Sequence, residues 1–170
     1  MELRDYIRDV PDFPKAGILF KDITPLLQNK AAFRYSLDEM TAAYRDAQVD
    51  VVVGIESRGF IFGAPLADRL NAGFVIVRKL GKLPAATISA EYALEYGTNT
   101  MEMHTDAIKP GQRVLIVDDL LATGGTVGAT ARLVEQLGGE VLGMLFLLEL
   151  KFLGGRARLP QYKMITLLEY

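Results

Sequence analysis

The chain contains no cysteine. That absence excludes a disulfide framework, thiolate zinc sites and cysteine nucleophiles together. Histidine is nearly absent too: His104 stands alone, with nothing near it to form a triad or a metal site, and reads as a surface or hairpin residue. Positive charge is not in excess. The net charge of −2 provides no basic field for nucleic acid or an anionic membrane, so neither is expected as a partner. The longest apolar run, VLGMLFLLEL (141–150), carries Glu149 and is far too short to span a bilayer. The opening MELRDYIRDVPDFPKAG is charged from its second residue and reads as no signal peptide, so a cytoplasmic protein is expected.

Half of the 170 residues are hydrophobic and 24% are charged, which suits one compact domain spanning 1–170. Runs rich in β-branched residues occur at 49–55, 73–77, 113–117, 140–148 and 163–168. Most are continuously apolar, as strands covered on both faces must be. Helical stripes fall between them: Phe33, Leu37, Met40, Tyr44 and Ala47; the segment 60–71; and Val127, Ala131, Val134 and Leu137, which ends at Gly138 and Gly139. The alternation predicts an α/β fold with a mostly parallel central sheet flanked by helices. Two regions break it. Residues 11–27, with Pro11, Pro14 and Pro25, read as a loop-rich flap, and residues 90–104 read as a β-hairpin arm.

The chemistry concentrates in VLIVDDLLATGGTVGAT (114–130). Ligands in open α/β sheets bind at the carboxyl ends of strands. Here Asp118 and Asp119 are expected at a strand's end, followed by a turn into a helix. Amides at a helix N-terminus bind phosphate, Gly124 and Gly125 allow close approach, and Thr123 and Thr126 add hydroxyls. The lysine of a Walker loop is missing, and a dinucleotide fold would put its acid on the next strand. Two carboxylates beside a phosphate turn make sense for a ligand that carries both a phosphate and a vicinal diol. The carboxylates take the diol, directly or near Mg²⁺, and the turn takes the phosphate: a ribose 5-phosphate. A solvated acid pair followed by an ordinary turn is the plain alternative. A receiver domain is excluded, because no aspartate follows Asp119.

VLIVDDLLATGGT resembles the phosphoribosyl-pyrophosphate signature of the type I phosphoribosyltransferases, and its LLATGGT ending is similar to the adenine-specific branch. PDFPKAGILFKDITPLL, GIESRGFIFGAPLA, VRKLGKLP and LEYGTNTMEMH resemble further segments of that branch in the same order. The resemblance implies transfer of the 5-phosphoribosyl group from phosphoribosyl pyrophosphate to adenine, giving AMP and pyrophosphate. It also implies an N-terminal hood (about 1–30), a flexible loop and mobile hairpin arm (about 80–106), and a homodimer in which Arg78 reaches the neighbouring subunit's site. By the same resemblance Asp118 and Asp119 face the ribose hydroxyls, and Ala122, Thr123, Gly124, Gly125 and Thr126 bind the 5-phosphate. Relatives acting on 6-oxopurines usually carry an aspartate where this chain has Ala122.

Ser57 and Arg58, after the strand at 49–55, suit a pyrophosphate, with a cis peptide between Glu56 and Ser57 implied by the resemblance. Arg78, Lys79 and Lys82 suit the departing pyrophosphate, although Lys82 reads equally as a solvated charge. Phe20 and Leu150 would sandwich the base while main-chain groups of Leu19 and Lys21 read its edge; Phe20 as plain core is the alternative. A mismatched base leaves buried groups unpaired, at about 1–3 kcal/mol each. The family often has arginine at Lys21. Glu95 is implied as the group that exchanges a proton with the base, against a solvated hairpin glutamate, and Tyr96 as a lid. Alternation puts Glu95 on the face opposite Leu94 and Tyr96. Mg²⁺ would be held by ligand oxygens and water more than by protein. A transferase for another base and a non-catalytic sensor of the same sugar remain as rivals.

Overall fold

The computed structural model describes residues 1–170, which divide into two compact units, Met1–Glu39 and Met40–Tyr170. Strands β1 (Arg8–Pro11) and β2 (Leu19–Asp22) of the first unit pair antiparallel, with Val10 opposite Phe20. Helix α1 (Thr24–Gln28) follows, its fully buried Leu26 anchoring it. Asp22 organises the entry to α1, accepting the Thr24 backbone N–H at 2.9 Å and its hydroxyl at 2.8 Å. Helix α2 (Lys30–Ala42) contains the unit boundary. Asn29 caps it, its Oδ1 accepting from the amides of Ala31 and Ala32. The proline-rich segment expected to be loop therefore holds a hairpin and a short helix. Its prolines sit at a strand end, in a turn and in the first helical turn, where no ladder or helix amide is lost.

The second unit is built on seven strands: β3 (Val51–Ile55), β4 (Gly73–Lys79), β5 (Thr87–Ala93), β6 (Thr98–His104), β7 (Arg113–Leu121), β8 (Glu140–Glu149) and β9 (Met164–Glu169). Their order is β5-β6-β4-β3-β7-β8-β9. The run from β4 to β9 is parallel throughout, while β6 is antiparallel to β4 and to β5. Helices α3 (Gly59–Arg69) and α4 (Gly125–Gln136) complete the unit. This is the mostly parallel α/β sheet that the alternating pattern predicts. Parallel order requires crossovers, and α3 and α4 supply two of them.

Continuous apolar runs become central strands because both faces are covered. Val51, Val53, Ile55, Val114, Ile116, Met144 and Phe146 form one core with Val127, Ala131 and Val134 of α4. The alternate residues Val52, Leu115, Val117 and Leu145 are equally buried, and by strand alternation they face the other side. Each fully buried Val, Leu or Ile contributes about 1.5–3 kcal/mol, so the middle of the sheet is the stable scaffold on which the loops at its carboxyl edge are held.

Candidate active site

Strand β7 does not stop at Val117. It continues through Asp118 and Asp119 to Leu121, because β8 is long enough to pair with it: Asp118 lies opposite Phe146, Leu120 opposite Leu148 and Leu121 opposite Glu149. The acid pair, expected just beyond the strand, is thus held within its last hydrogen-bonded stretch. Residues 122–124 then turn directly into α4. Gly124 has φ +83°, in the left-handed region, and the Gly155 carbonyl oxygen lies 2.9 Å from where a Cβ on Gly124 would stand. The first amides of a helix have no partner within it. At α4 they open onto a small cavity lined by Asp118 and residues 120–127.

The two acids are unequal. Asp119 is buried, and its Oδ2 accepts from Arg58 Nε at 2.6 Å. Asp118 accepts the Asp119 backbone N–H at 2.9 Å. Burial, and next the charge of Asp119, hold the Asp118 carboxyl well above the usual carboxylate range. Asp119 is therefore the acid held by Arg58, and Asp118 is the one for which carrying a charge costs more. Arg58, expected on a pyrophosphate, also compensates Asp119.

Both acids line a larger cavity of about 540 Å³. Ser57, Arg58, Lys79 and Lys82 form one wall, Ala122 and Thr126 another, and Tyr92 and Asn99 a third. The sheet order accounts for the gathering, since β4, β3 and β7 are neighbours and end on the same edge. The Glu56–Ser57 peptide is cis, as expected.

Glu56 also lines this cavity, and the sequence reading passed over its side chain. With 8% of that side chain exposed, it accepts from Lys82 Nζ at 2.5 Å, from the Lys79 backbone N–H at 2.9 Å and from Arg78 Nη2 at 3.2 Å. Burial alone would push its pKa up. The bonds from Lys82, Lys79 and Arg78 outweigh burial and bring it to about 2. Lys82 is thereby fixed at the cavity wall, and Arg78 is engaged within its own chain. Buried Glu102 similarly holds the following loop, accepting from the Gly81 amide at 2.8 Å and the Thr87 hydroxyl at 3.2 Å. The signal for Glu56 was an acid inside GIESRGF, a segment otherwise suited to an anion.

The hairpin arm exists, but its tip differs from expectation. Strand β5 ends at Ala93, and the Leu94 N–H bonds to the Gly97 carbonyl at 2.9 Å. Glu95 and Tyr96 are consequently loop residues, both exposed, and strand alternation does not reach them. Neither is on the cavity wall. Tyr92 of β5, noted from the sequence only as part of the arm's alternation, is.

Behind the phosphate turn lies a second support that sequence reading missed. Buried Glu149 takes a forked pair of bonds from Arg156, whose Nη1 also donates to the Met164 carbonyl at 2.8 Å. This fixes the segment that carries Gly155. A Cβ on Gly155 would overlap the Ala122 carbonyl and stand 3.0 Å from the Gly124 nitrogen. Arg158 adds a bond to the Thr123 carbonyl at 3.4 Å. The Leu150 amide donates to the Leu121 carbonyl at 2.9 Å, at the exit of β8.

In the first unit, Leu19, Phe20 and Lys21 are consecutive on β2. Phe20 meets the edge of Phe13, with ring centroids 5.2 Å apart, and Lys21 Nζ pairs with Asp9 at 2.6 Å. Leu19 is exposed.

A glycine-rich turn, an acid pair and a cationic wall thus lie side by side at the carboxyl edge of the sheet, an arrangement suited to a phosphoribosyltransferase. In agreement, the family described as phosphoribosyl transferase domain matches residues 24–165. The adenine phosphoribosyltransferase of Brachyspira hyodysenteriae is 59% identical over 170 residues, covering the whole of both chains. Among solved structures, that of the Thermoanaerobacter pseudethanolicus adenine phosphoribosyltransferase superposes with a TM-score of 0.96 at 56% identity, covering 99% of this chain and 98% of the other. The Saccharomyces cerevisiae enzyme, solved with adenine and an imino-altritol bisphosphate, gives 0.92 at 43% identity, covering 98% and 97%. The chain belongs to the adenine phosphoribosyltransferase family.

Proposed function

We propose that this chain transfers the 5-phosphoribosyl group from phosphoribosyl pyrophosphate to adenine, releasing pyrophosphate and AMP. The observation that carries the reading is the cavity in which the Asp118–Asp119 pair, Ala122 and Thr126 from the two ends of the turn, and the cations Arg58, Lys79 and Lys82 meet. In this reading the turn holds the 5-phosphate, and the acids hold the ribose hydroxyls. Ser57, Arg58, Lys79 and Lys82 take the pyrophosphate, with Arg78 nearby through Glu56.

As the bond from C1 to the pyrophosphate oxygen breaks, N9 of adenine bonds to C1, and the leaving group carries away the electron pair. The cationic wall stabilises the charge that develops on that group. Glu95 receives the proton that the base gives up, with the arm delivering it and Tyr96 covering the site. Within the first unit, Phe20 offers a face for the base, and main-chain groups of Leu19 and Lys21 are the ones to read its edge. A hypoxanthine in that place would leave donors facing donors.

A Mg²⁺ accompanying the diphosphate suits these residues. No three His, Cys, Asp or Glu side chains gather into a set able to hold an ion. Mg²⁺ prefers phosphate and water oxygens with one or two carboxylates, and Asp118 is a carboxyl that lines the cavity. The ion would supply charge neutralisation on the pyrophosphate. A cytoplasmic homodimer completes the proposal; no helix is long and apolar enough to cross a membrane.

AMP formation from adenine, measured beside hypoxanthine, guanine and xanthine with the same activated sugar, tests the reading. Adenine is expected to be preferred by about 30-fold or more, the result of two unpaired buried groups at about 1–3 kcal/mol each. Equal or faster turnover of a 6-oxopurine overturns it.

A further inference from the structure

Tyr92 sits where the arm meets the phosphate turn. Its ring covers Gly125, so that a Cβ there would stand 2.6 Å from Tyr92 Cδ2. Its phenol oxygen accepts from the Thr126 hydroxyl at 3.0 Å and from Asn99 Nδ2 at 3.4 Å. Tyr92 and Asn99 are cross-strand partners on β5 and β6, so one phenol ties both strands of the arm to the start of α4. Glu95 lies in the loop that joins these two strands. Arg132 of α4 adds a second tie, donating to the Glu91 carbonyl.

We infer that Tyr92 is a positioning residue that couples occupancy of the 5-phosphate turn to the placement of the arm. The inference rests on the reading of Thr126 as a phosphate ligand. A hydroxyl has one proton and can both donate and accept. In the structure the Thr126 hydroxyl donates to the Tyr92 oxygen. A phosphate at the turn is a stronger acceptor, being charged. Thr126 then turns its O–H to the phosphate, and its oxygen accepts a hydrogen bond from the Tyr92 hydroxyl in return. Asn99 still donates to the phenol. The three groups then point in one direction, Asn99 to Tyr92 to Thr126 to phosphate, and each bond polarises the next. The bound phosphate thus strengthens the tie that holds the arm, and with it the loop bearing Glu95. The arm is drawn in by the sugar substrate and not by the base.

The test uses the full chain with ribose 5-phosphate, which occupies the turn without reaction. Affinity is read by calorimetry and arm order by hydrogen exchange of amides 87–104. In the wild type, saturating ribose 5-phosphate is expected to slow exchange in the arm. Tyr92→Phe keeps the ring over Gly125 and removes only the hydroxyl. It is expected to weaken ribose 5-phosphate binding by about three- to tenfold, the size of one hydrogen bond, and to abolish the added protection even at saturation. In turnover its kcat falls while KM for adenine stays put. Thr126→Ser, which keeps a hydroxyl, restores the coupling, whereas Thr126→Val does not. Should Tyr92→Phe fold poorly, Asn99→Ala removes the far end of the same chain and is expected to reduce the protection. Wild-type affinity and wild-type arm protection in Tyr92→Phe or Asn99→Ala overturn the inference while leaving the phosphate reading intact. Failure of ribose 5-phosphate to bind the wild type removes both.

Discussion

Arg58 Nε stands 2.6 Å from Asp119 Oδ2, joining the segment after β3 to the end of β7. The pair gives two adjacent aspartates different settings: Asp119 is bonded to Arg58, while Asp118 carries the cost of its burial and of its neighbour's charge, offset only in part by Arg58.

Asp118→Asn is expected to stabilise the protein and impair it together. Relief of the burial cost and of the repulsion from Asp119 raises Tm at pH 7, while ribose 5-phosphate binding weakens. The pH dependence has a definite sign. A carboxyl raised in the folded state contributes its stability fully below its ordinary value of 3.8 and loses it as pH rises through the folded value. The Tm advantage of the variant therefore shrinks as pH falls towards 3.8. Calorimetric melting across pH checks this, and an equal or lower Tm at neutral pH contradicts it.

Glu56→Gln is expected to cost about 1–3 kcal/mol at neutral pH, since a buried carboxylate holding three donors becomes a weaker acceptor. Released from their anchor, Arg78 and Lys82 bind pyrophosphate less well, raising its KM severalfold in AMP pyrophosphorolysis. Because the folded value is about 2, below the ordinary 4.5, the Glu56 contribution is present above 4.5 and lost as pH falls through 2. Acid titration of the variant should lack that loss.

Glu95→Gln separates chemistry from binding. Turnover with adenine is expected to fall by about 10²-fold or more, with ribose 5-phosphate affinity unchanged by calorimetry. Unaltered turnover would remove Glu95 from the reaction.

Arg156→Met leaves Glu149 buried without its forked partner. Arg156 is partly exposed, which moderates the loss to about 1–3 kcal/mol in urea unfolding. Movement of Gly155 then loosens the turn at 122–124, and ribose 5-phosphate affinity drops severalfold. Adding Glu149→Leu should recover stability, because an apolar side chain has no charge left unpaired. Loss of stability without loss of affinity would show that Gly155 does not seat the turn.

Much of the fold was legible from local pattern. The five apolar runs became β3, β4, β7, β8 and β9, within a few residues; for β3, β7 and β8 the reason is burial along most of the strand, which leaves its mark on successive side chains. Boundaries were less visible. β7 gained residues 118–121 from a partner strand, and β5 ended at Ala93 because the loop closes on Gly97, so the alternation argument for Glu95 did not apply. The hairpin of β1 and β2 was hidden by prolines placed where they cost nothing.

From the amino-acid order alone came the alternation of strands and helices, the glycine turn and the acid pair beside it. Each is written in neighbouring residues, since side-chain periodicity and the φ angle of a turn are short-range demands. The contacts that make those pieces a site are of another kind. Arg58 and Asp119 are 61 residues apart, Glu56 and Lys82 are 26, and Tyr92 and Thr126 are 34. Their meeting depends on β4, β3 and β7 lying side by side, and on β6 carrying the arm back to the same edge. Strand order is set by how the whole core packs, which no local window of sequence contains.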